Sequence, residues 1–335
     1  VIQFYEEAGN RLVQKGGQRV RHVTSDSDAM RVIQVAWHNL AKRTGLDSQD
    51  YKLALYSVRK EAEGRARVVA QAIGPGTLAI KVRIGSTPAA AAQLAQAHRS
   101  AHAALENAPD CAAPEVLAED TETGALLLNW IEGRTVADAL TERLASTTQL
   151  MEHAGRWMAV LHRRGAVEDT PFAADWLLRR LDKMTPTRVA AQERYTVCRA
   201  ALERLADTAR GQPMRRAVIH GDLTLSNLIW DGQTLTGLDF ENLGLHPVAR
   251  DAGLLLSEVA MLDAGQVKML DNVFDAFSEG LGEDAGPPEI LRFFIGLRLL
   301  QQWVRVPHRS VDRTLRRARM WRGIKVAAPH VLGVS

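Results

Sequence analysis

The segment VIHGDLTLSNLIW, residues 218–230, carries polar side chains in a short loop between two apolar runs. Asp222 lies near the start of this loop, and Asn227 follows five positions later. A carboxylate at such a position can accept a proton from a hydroxyl group, and an amide oxygen can bind a hard cation such as Mg²⁺. Asp222 also suits a second interpretation, that of an Asx-turn residue beside Gly221.

A second acidic residue, Asp239, ends the next apolar run in the sequence LTGLDFEN. The dipeptide Asp231-Gly232 before it is a strong signal for a β-hairpin turn. Such a hairpin would bring Asn227, at its start, close to Asp239, at its end. The amide oxygen and the carboxylate would then suit Mg²⁺, which also takes water and phosphate oxygens. We interpret His220 as a residue that braces the loop rather than as a catalytic group.

The elements that must position these residues fall into two groups. Apolar periodicity predicts a helix over residues 29–45, and three alternating runs after it predict an antiparallel meander. Thr87 and Pro88 are typical of the cap and first position of the next helix. Two further strands follow, in EVLAED and ALLLNWIEG, and beyond Gly133 the periodicity is helical.

These patterns predict an α+β fold with two lobes. The small lobe, residues 1–128, contains an antiparallel β-sheet, one helix and an N-terminal helical extension. Residues 129–134 form a hinge, and residues 135–335 form a larger, mainly helical lobe. A cleft between two such lobes is a usual place for a ligand.

Three segments, HGDLTLSN, LDFEN and HPVARD, together resemble the aminoglycoside phosphotransferase and choline kinase family, relatives of the protein kinases. The resemblance implies a protein-kinase-like fold and an ATP- and Mg²⁺-dependent transfer of the γ-phosphoryl group to a hydroxyl of an aminoglycoside-, choline- or sugar-like molecule. It implies that Asp222 is the catalytic base and that Asn227 and Asp239 bind the metal. It also implies that Asp251 braces the catalytic loop and that Glu241 lies near the metal or substrate.

The first part of the chain supports the same resemblance. TLAIKV resembles the third strand of the kinase small lobe, which makes Lys81 the residue that pairs with the ATP phosphates. LLLNWIEG resembles the kinase hinge, where backbone groups of Asn129, Trp130 and Ile131 would bind the adenine edge.

The helix after Lys81 departs from the kinase pattern, because it has no acidic residue before Glu106. Kinases pair the strand lysine with a glutamate of this helix, whereas the helix here offers Gln93 and Gln96. We expect Lys81 to contact Gln96, or to find its carboxylate outside this helix. The turn RKEAEGR also has one glycine and is not a G-x-G-x-x-G loop. The missing glutamate leaves open a catalytically weak, kinase-like protein that binds nucleotide or has a regulatory role.

Composition limits the partners. A formal charge of +3 does not indicate nucleic acid, and no apolar run approaches the ~20 residues of a membrane span. Cys111 and Cys198 are interpreted as packing thiols of a cytoplasmic protein. The acidic residues between positions 257 and 289 either attract a cationic substrate or form a solvated face. The basic stretch 305–325 lacks the interleaved aromatic residues of a nucleic-acid site.

Overall fold

The structure is a computed structural model, and it describes residues 5–7, 12–14, 28–60, 65–163, 165–184, 189–262, 269–305 and 315–334. The chain divides into two compact units. Unit 1 comprises Val1–Ala108, Ala112–Asp138 and Ile229–Glu241. Unit 2 comprises Pro109–Cys111, Ala139–Leu228 and Asn242–Ser335.

The described strands and helices alternate along the chain as follows. The strands are β1 (Tyr5–Glu7), β2 (Leu12–Gln14), β3 (Lys52–Lys60), β4 (Ala66–Ile73), β5 (Thr77–Ile84), β6 (Cys111–Ala112), β7 (Val116–Asp120), β8 (Ala125–Asn129), β9 (Arg134–Thr135), β10 (Glu168–Pro171), β11 (Pro213–Ile219), β12 (Leu228–Trp230), β13 (Leu235–Gly237) and β14 (Gly244–Pro247). The helices are α1 (Asp28–Thr44), α2 (Pro88–Leu105), α3 (Val136–Glu142), α4 (Thr147–His162), α5 (Asp175–Asp182), α6 (Val189–Ala209), α7 (Val248–Leu262), α8 (Leu270–Leu281), α9 (Pro288–Arg305) and α10 (Leu315–Val331).

Unit 1 is built on a five-stranded antiparallel sheet with the order β3-β4-β5-β8-β7. Side chains of a strand alternate between the two faces of a sheet. On one face Val68 and Ile80 are buried with Leu40 of α1 in a single hydrophobic cluster. On the other face Leu126 is buried with Leu94 of α2. The sheet is therefore covered by α1 on one side and by α2 on the other.

The local patterns of unit 1 are confirmed. The predicted helix over 29–45 is α1, and the predicted meander is β3-β4-β5. At the start of α2, the Thr87 hydroxyl accepts the backbone N–H of Ala90 at 3.3 Å, as the cap prediction requires. The turn predicted at Asp231 is present, because its carboxylate accepts the backbone N–H groups of Gln233 and Thr234 at 2.8 and 2.7 Å.

Unit 1 also includes a segment that lies far from the predicted small lobe in sequence. Ile229 and Trp230 of β12 pair with Thr135 and Arg134 of β9. This pairing attaches the β12–β13 hairpin to the sheet-containing unit. As a result Asp239 belongs to unit 1.

Unit 2 contains most of the helices and a three-stranded antiparallel sheet with the order β10-β11-β14. In this sheet Val218 pairs with Leu245, and Ile219 pairs with Gly244. Helix α7 is buried along most of its length and follows β14 directly. Both cysteines are free and buried, as predicted. No helix of the described residues is long and apolar enough to cross a membrane.

Helix α1 should contribute to the stability of unit 1 through its buried face. Leu40 is fully buried whereas Val35, on the same helix, is 57% exposed. We expect Leu40→Ala to lower the free energy of unfolding by about 2–5 kcal/mol, and Val35→Ala to change it by less than about 0.5 kcal/mol. Denaturant unfolding of the two variants measures the difference. Equal effects would contradict this packing of α1.

Candidate active site

The Lys81 ammonium lies in a group of charges within unit 1. Lys81 projects from β5 with its side chain 11% exposed, pairs with the carboxylate of Asp239, and lies 3.0 Å from Oε1 of Glu241. Burial alone would lower the pKa of Lys81, but Asp239 and Glu241 outweigh this effect and raise the pKa above its usual value. Lys81 is therefore held as a cation by two carboxylates of the DFE segment.

Asp239 occupies an unusual backbone conformation. Its φ of 69° lies in the left-handed region, which non-glycine residues rarely adopt and which recurs at functional sites. Arg67 approaches the same carboxylate, with Nη1 3.6 Å from Oδ2. Burial alone would raise the pKa of Asp239, but Lys81 and then Arg67 hold it well below its usual range. The carboxylate is thus ionised, as a ligand of a divalent cation must be.

Glu241 is the most buried acid of the group. Its side chain is 3% exposed, and its Oε2 lies 2.8 Å from Nη1 of Arg67 and 3.7 Å from Nη1 of Arg83. A buried charge needs such partners, because its transfer out of water is otherwise costly. Three cationic side chains, from Arg67, Lys81 and Arg83, therefore converge on two carboxylates.

Gln96 does not take the role that the sequence suggested for it. Its exposed amide donates to the hydroxyl of Ser100 at 3.3 Å. The reason lies in the rotation of α2, which buries Leu94 and Ala95 against the sheet and leaves Gln96 and Gln93 in solvent. Of the two expectations for Lys81, the structure has the second, with carboxylates outside α2.

Helix α2 instead reaches the DFE segment through His98. The ring of His98 is buried and meets the ring of Phe240 edge to face, with 5.4 Å between centroids. Because Phe240 separates Asp239 from Glu241 in the chain, this contact fixes the segment that holds both carboxylates.

The loop with Asp222 lies in unit 2 and is held at its first residues. The backbone N–H of Gly221 donates to Oδ2 of Asp251 on α7 at 2.9 Å. Gly221 has a φ of 82°, and a Cβ there would lie 2.2 Å from the carbonyl oxygen of Asn242, so the position requires glycine. His220 is buried, and its Nδ1 accepts the backbone N–H of Asp222 at 3.3 Å.

Asn227 closes the same loop. Its Nδ2 donates to the backbone carbonyl of Asp222 at 2.9 Å, which turns the amide oxygen away from the loop. An amide oxygen is a donor that suits Mg²⁺. The side chain of Asp222 is exposed, so its carboxylate is accessible while its backbone is fixed.

Glu258 is a loop-bracing residue that sequence reasoning missed. Its Oε2 accepts the backbone N–H of Leu225 at 2.9 Å. Asp251 and Glu258 lie seven positions apart on α7, and two helical turns place them on one face. The two carboxylates therefore hold the catalytic loop at both ends.

Several acids of the segment 257–289 thus have internal partners and do not form one solvated acidic face. Besides Glu258, Asp284 accepts a hydrogen bond from His162 at 2.9 Å, and the Asp271 carboxylate lies 3.4 Å from the guanidinium of Arg292. Asp263 and most of the basic stretch 305–325 lie outside the residues whose side chains are described.

The predicted hinge follows β8. The backbone N–H of Asn129 donates to the carbonyl of Glu115 at 3.3 Å, and that of Trp130 donates to the carbonyl of Thr77 at 3.4 Å. Both N–H groups are thus used inside unit 1. The ring of Trp130 meets that of Tyr56 at a centroid distance of 5.5 Å.

Residues 56–291 match the model of the phosphotransferase enzyme family that includes aminoglycoside phosphotransferases. The chain belongs to this family. The family predicted from the motifs is confirmed, and the chain is a small-molecule phosphotransferase. Among curated proteins, none is significantly similar to the chain in sequence.

Solved structures of several kinases share the fold. A choline/ethanolamine kinase family protein from Mesorhizobium loti is 18% identical, with coverage of 88% of this chain and 99% of that chain and a TM-score of 0.53. A microcompartment-associated aminopropanol kinase is 16% identical, with coverage of 89% and 95% and a TM-score of 0.55. A glucosamine kinase is 14% identical, with coverage of 83% and 93% and a TM-score of 0.51. These similarities confirm the predicted protein-kinase-like α+β fold.

Replacement of Asp239 should remove an acid-dependent part of the stability. The pKa of Asp239 is lowered in the folded chain, so its ion pairs stabilise the fold above the unfolded value of about 3.9 and are lost as the pH falls below it. The difference in free energy of unfolding between the parent and Asp239→Asn should therefore be largest near neutral pH and shrink towards about pH 2. A difference that stays constant over this range in urea unfolding would contradict the ion pairing.

Proposed function

We propose that the chain transfers the γ-phosphoryl group of ATP to a hydroxyl group of a small molecule, with Mg²⁺. The observation that carries this proposal is the braced loop, which presents the exposed carboxylate of Asp222 from a fixed backbone. Phosphoryl transfer depends on the positioning of a nucleophile and on charge neutralisation rather than on covalent catalysis. Both requirements are met by side chains of this chain.

Asp222 is proposed as the catalytic base. Its carboxylate accepts the proton of the acceptor hydroxyl as that oxygen bonds to the γ-phosphorus and the bond from phosphorus to the ADP oxygen breaks. Asp251 and Glu258 are positioning residues, since they contact only the backbone of the loop. His220 acts in the same way through the N–H of Asp222.

Asn227 and Asp239 are proposed as the protein ligands of Mg²⁺. The fit rests on donor chemistry: the amide nitrogen of Asn227 is used within the loop, so its oxygen faces outward, and Asp239 is ionised. When bound, the metal neutralises charge on the phosphates. Lys81 is proposed to contact the same phosphates, and Asn129, Trp130 and Ile131 to bind the adenine through their remaining backbone groups.

The proposed acceptor is a small molecule that carries both a hydroxyl group and a cationic group. The names of the three similar structures support this choice, because ethanolamine, choline, aminopropanol and glucosamine all combine a hydroxyl with an amino or ammonium group. Aminoglycosides and other amino sugars have the same combination. The exposed acids Asp275 and Glu279 of α8 would favour a cation by their field.

The alternative of a catalytically weak nucleotide-binding protein rested on the missing glutamate of α2. Lys81 has carboxylate partners in Asp239 and Glu241, so the feature that favoured this alternative no longer distinguishes it. We therefore prefer the active kinase.

A phosphorylation screen tests the proposal. Purified protein with radiolabelled ATP and Mg²⁺ should label at least one member of a panel of amino alcohols, aminoglycosides and amino sugars. With that acceptor, Asp222→Asn should lower kcat by about 10²–10⁴-fold, because the general base is lost, while the Kd for ATP stays unchanged. Asp207→Asn, an exposed replacement on α6, is the matched control. A kcat of Asp222→Asn within a few-fold of the parent would exclude Asp222 as the base.

A further inference from the structure

Three arginines form a row across the sheet of unit 1. Arg59 of β3 is directly opposite Arg67 of β4, and Arg67 is directly opposite Arg83 of β5. Directly paired residues point to the same face of a sheet. Lys81, two residues before Arg83 on β5, points to this face as well, and all of Arg67, Lys81 and Arg83 reach Glu241. We call Arg59, Arg67 and Arg83 the arginine row.

The arginine row is unfavourable as a purely structural device. Like charges directly opposite each other on neighbouring strands destabilise a sheet. Glu241 offsets part of this repulsion through its contacts with Arg67 and Arg83. Arg59 lies further out on β3 and is exposed. Such a concentration of guanidinium groups suits an anionic ligand, and the planar fork of arginine matches phosphate oxygens.

The turn before the arginine row lacks the residues that usually bind the phosphate chain. Protein kinases cover the phosphates with a loop of the form G-x-G-x-x-G, whose backbone approaches them closely. The sequence between β3 and β4, from Lys60 to Arg65, contains Gly64 as its single glycine. Side chains at the ends of these strands are an alternative source of phosphate ligands.

We propose that the arginine row, together with Lys81, binds the phosphate chain of the nucleotide in place of a glycine-rich loop. The proposal rests on the proposed function, since it assigns new residues to the ATP site. Arg67 is central, because it lies between Arg59 and Arg83 in the register and contacts both acids of the DFE segment. Arg59 and Arg83 flank it on the two neighbouring strands.

The affinity for nucleotides of different phosphate number tests this assignment. Arg67→Gln should raise the Kd for ATP with Mg²⁺ at least about tenfold, the effect of a lost charge-assisted hydrogen bond, and the Kd for AMP by less than about twofold. Arg59→Gln, at an exposed position that the fold does not depend on, should raise the Kd for ATP roughly threefold. Calorimetry measures ATP binding, and ligand-observed NMR measures AMP binding.

Arg31→Gln is the matched control. It removes the same charge from α1, which covers the opposite face of the sheet, and its side chain is 70% exposed. If the parent binds ATP but Arg67→Gln and Arg59→Gln bind ATP as well as Arg31→Gln does, the arginine row has no role in phosphate binding and the proposed function stands. Equal losses for ATP and AMP would also overturn the assignment. A parent that does not bind ATP contradicts the proposed function itself.

Discussion

The burial of the Lys81 ammonium is the constraint on which unit 1 depends. An amino group with little exposure on a β-strand would lose its charge unless carboxylates compensated for the lost hydration. Asp239 and Glu241 provide this compensation, and both come from the short segment after the β12–β13 hairpin. The hairpin must therefore pair with β9, and the segment must pack under α2, for the lysine to remain a cation. A protein-kinase-like site thus persists without a glutamate on α2, because the acid is supplied from another part of the same unit.

Unit 2 solves a different problem, the fixation of a loop that has to expose a carboxylate. Loops that carry reactive groups need a rigid support. Here the support is one buried helix, α7, whose Asp251 and Glu258 accept N–H groups at the two ends of the loop. Backbone N–H groups are strong donors that must be satisfied when they are shielded from water. The acids of α7 meet this need and at the same time determine where Asp222 lies.

Much of the fold and part of the site could be predicted from the sequence, because the signals are local. The cap at Thr87, the turn at Asp231 and the alternation in β4 each depend on a few neighbouring residues. The partner of Lys81 could not be predicted, since its contact with Asp239 spans 158 positions. Gln96 was a wrong choice because one-turn spacing shows that Gln93 and Gln96 share a face but not which face packs. Glu258 was counted with an acidic surface because its partner lies 33 positions earlier in the chain.

The central claim is that Glu241 holds Lys81 in the role that kinases give to a helix glutamate. A double-mutant cycle of Lys81→Met and Glu241→Gln on the Kd for ATP, measured by calorimetry with Mg²⁺, tests it most directly. We predict that Glu241→Gln weakens binding in the parent but has little further effect once Lys81 is replaced, with a coupling energy of at least about 1 kcal/mol. Additive effects of the two replacements would show that the residues act independently, and they would contradict the account.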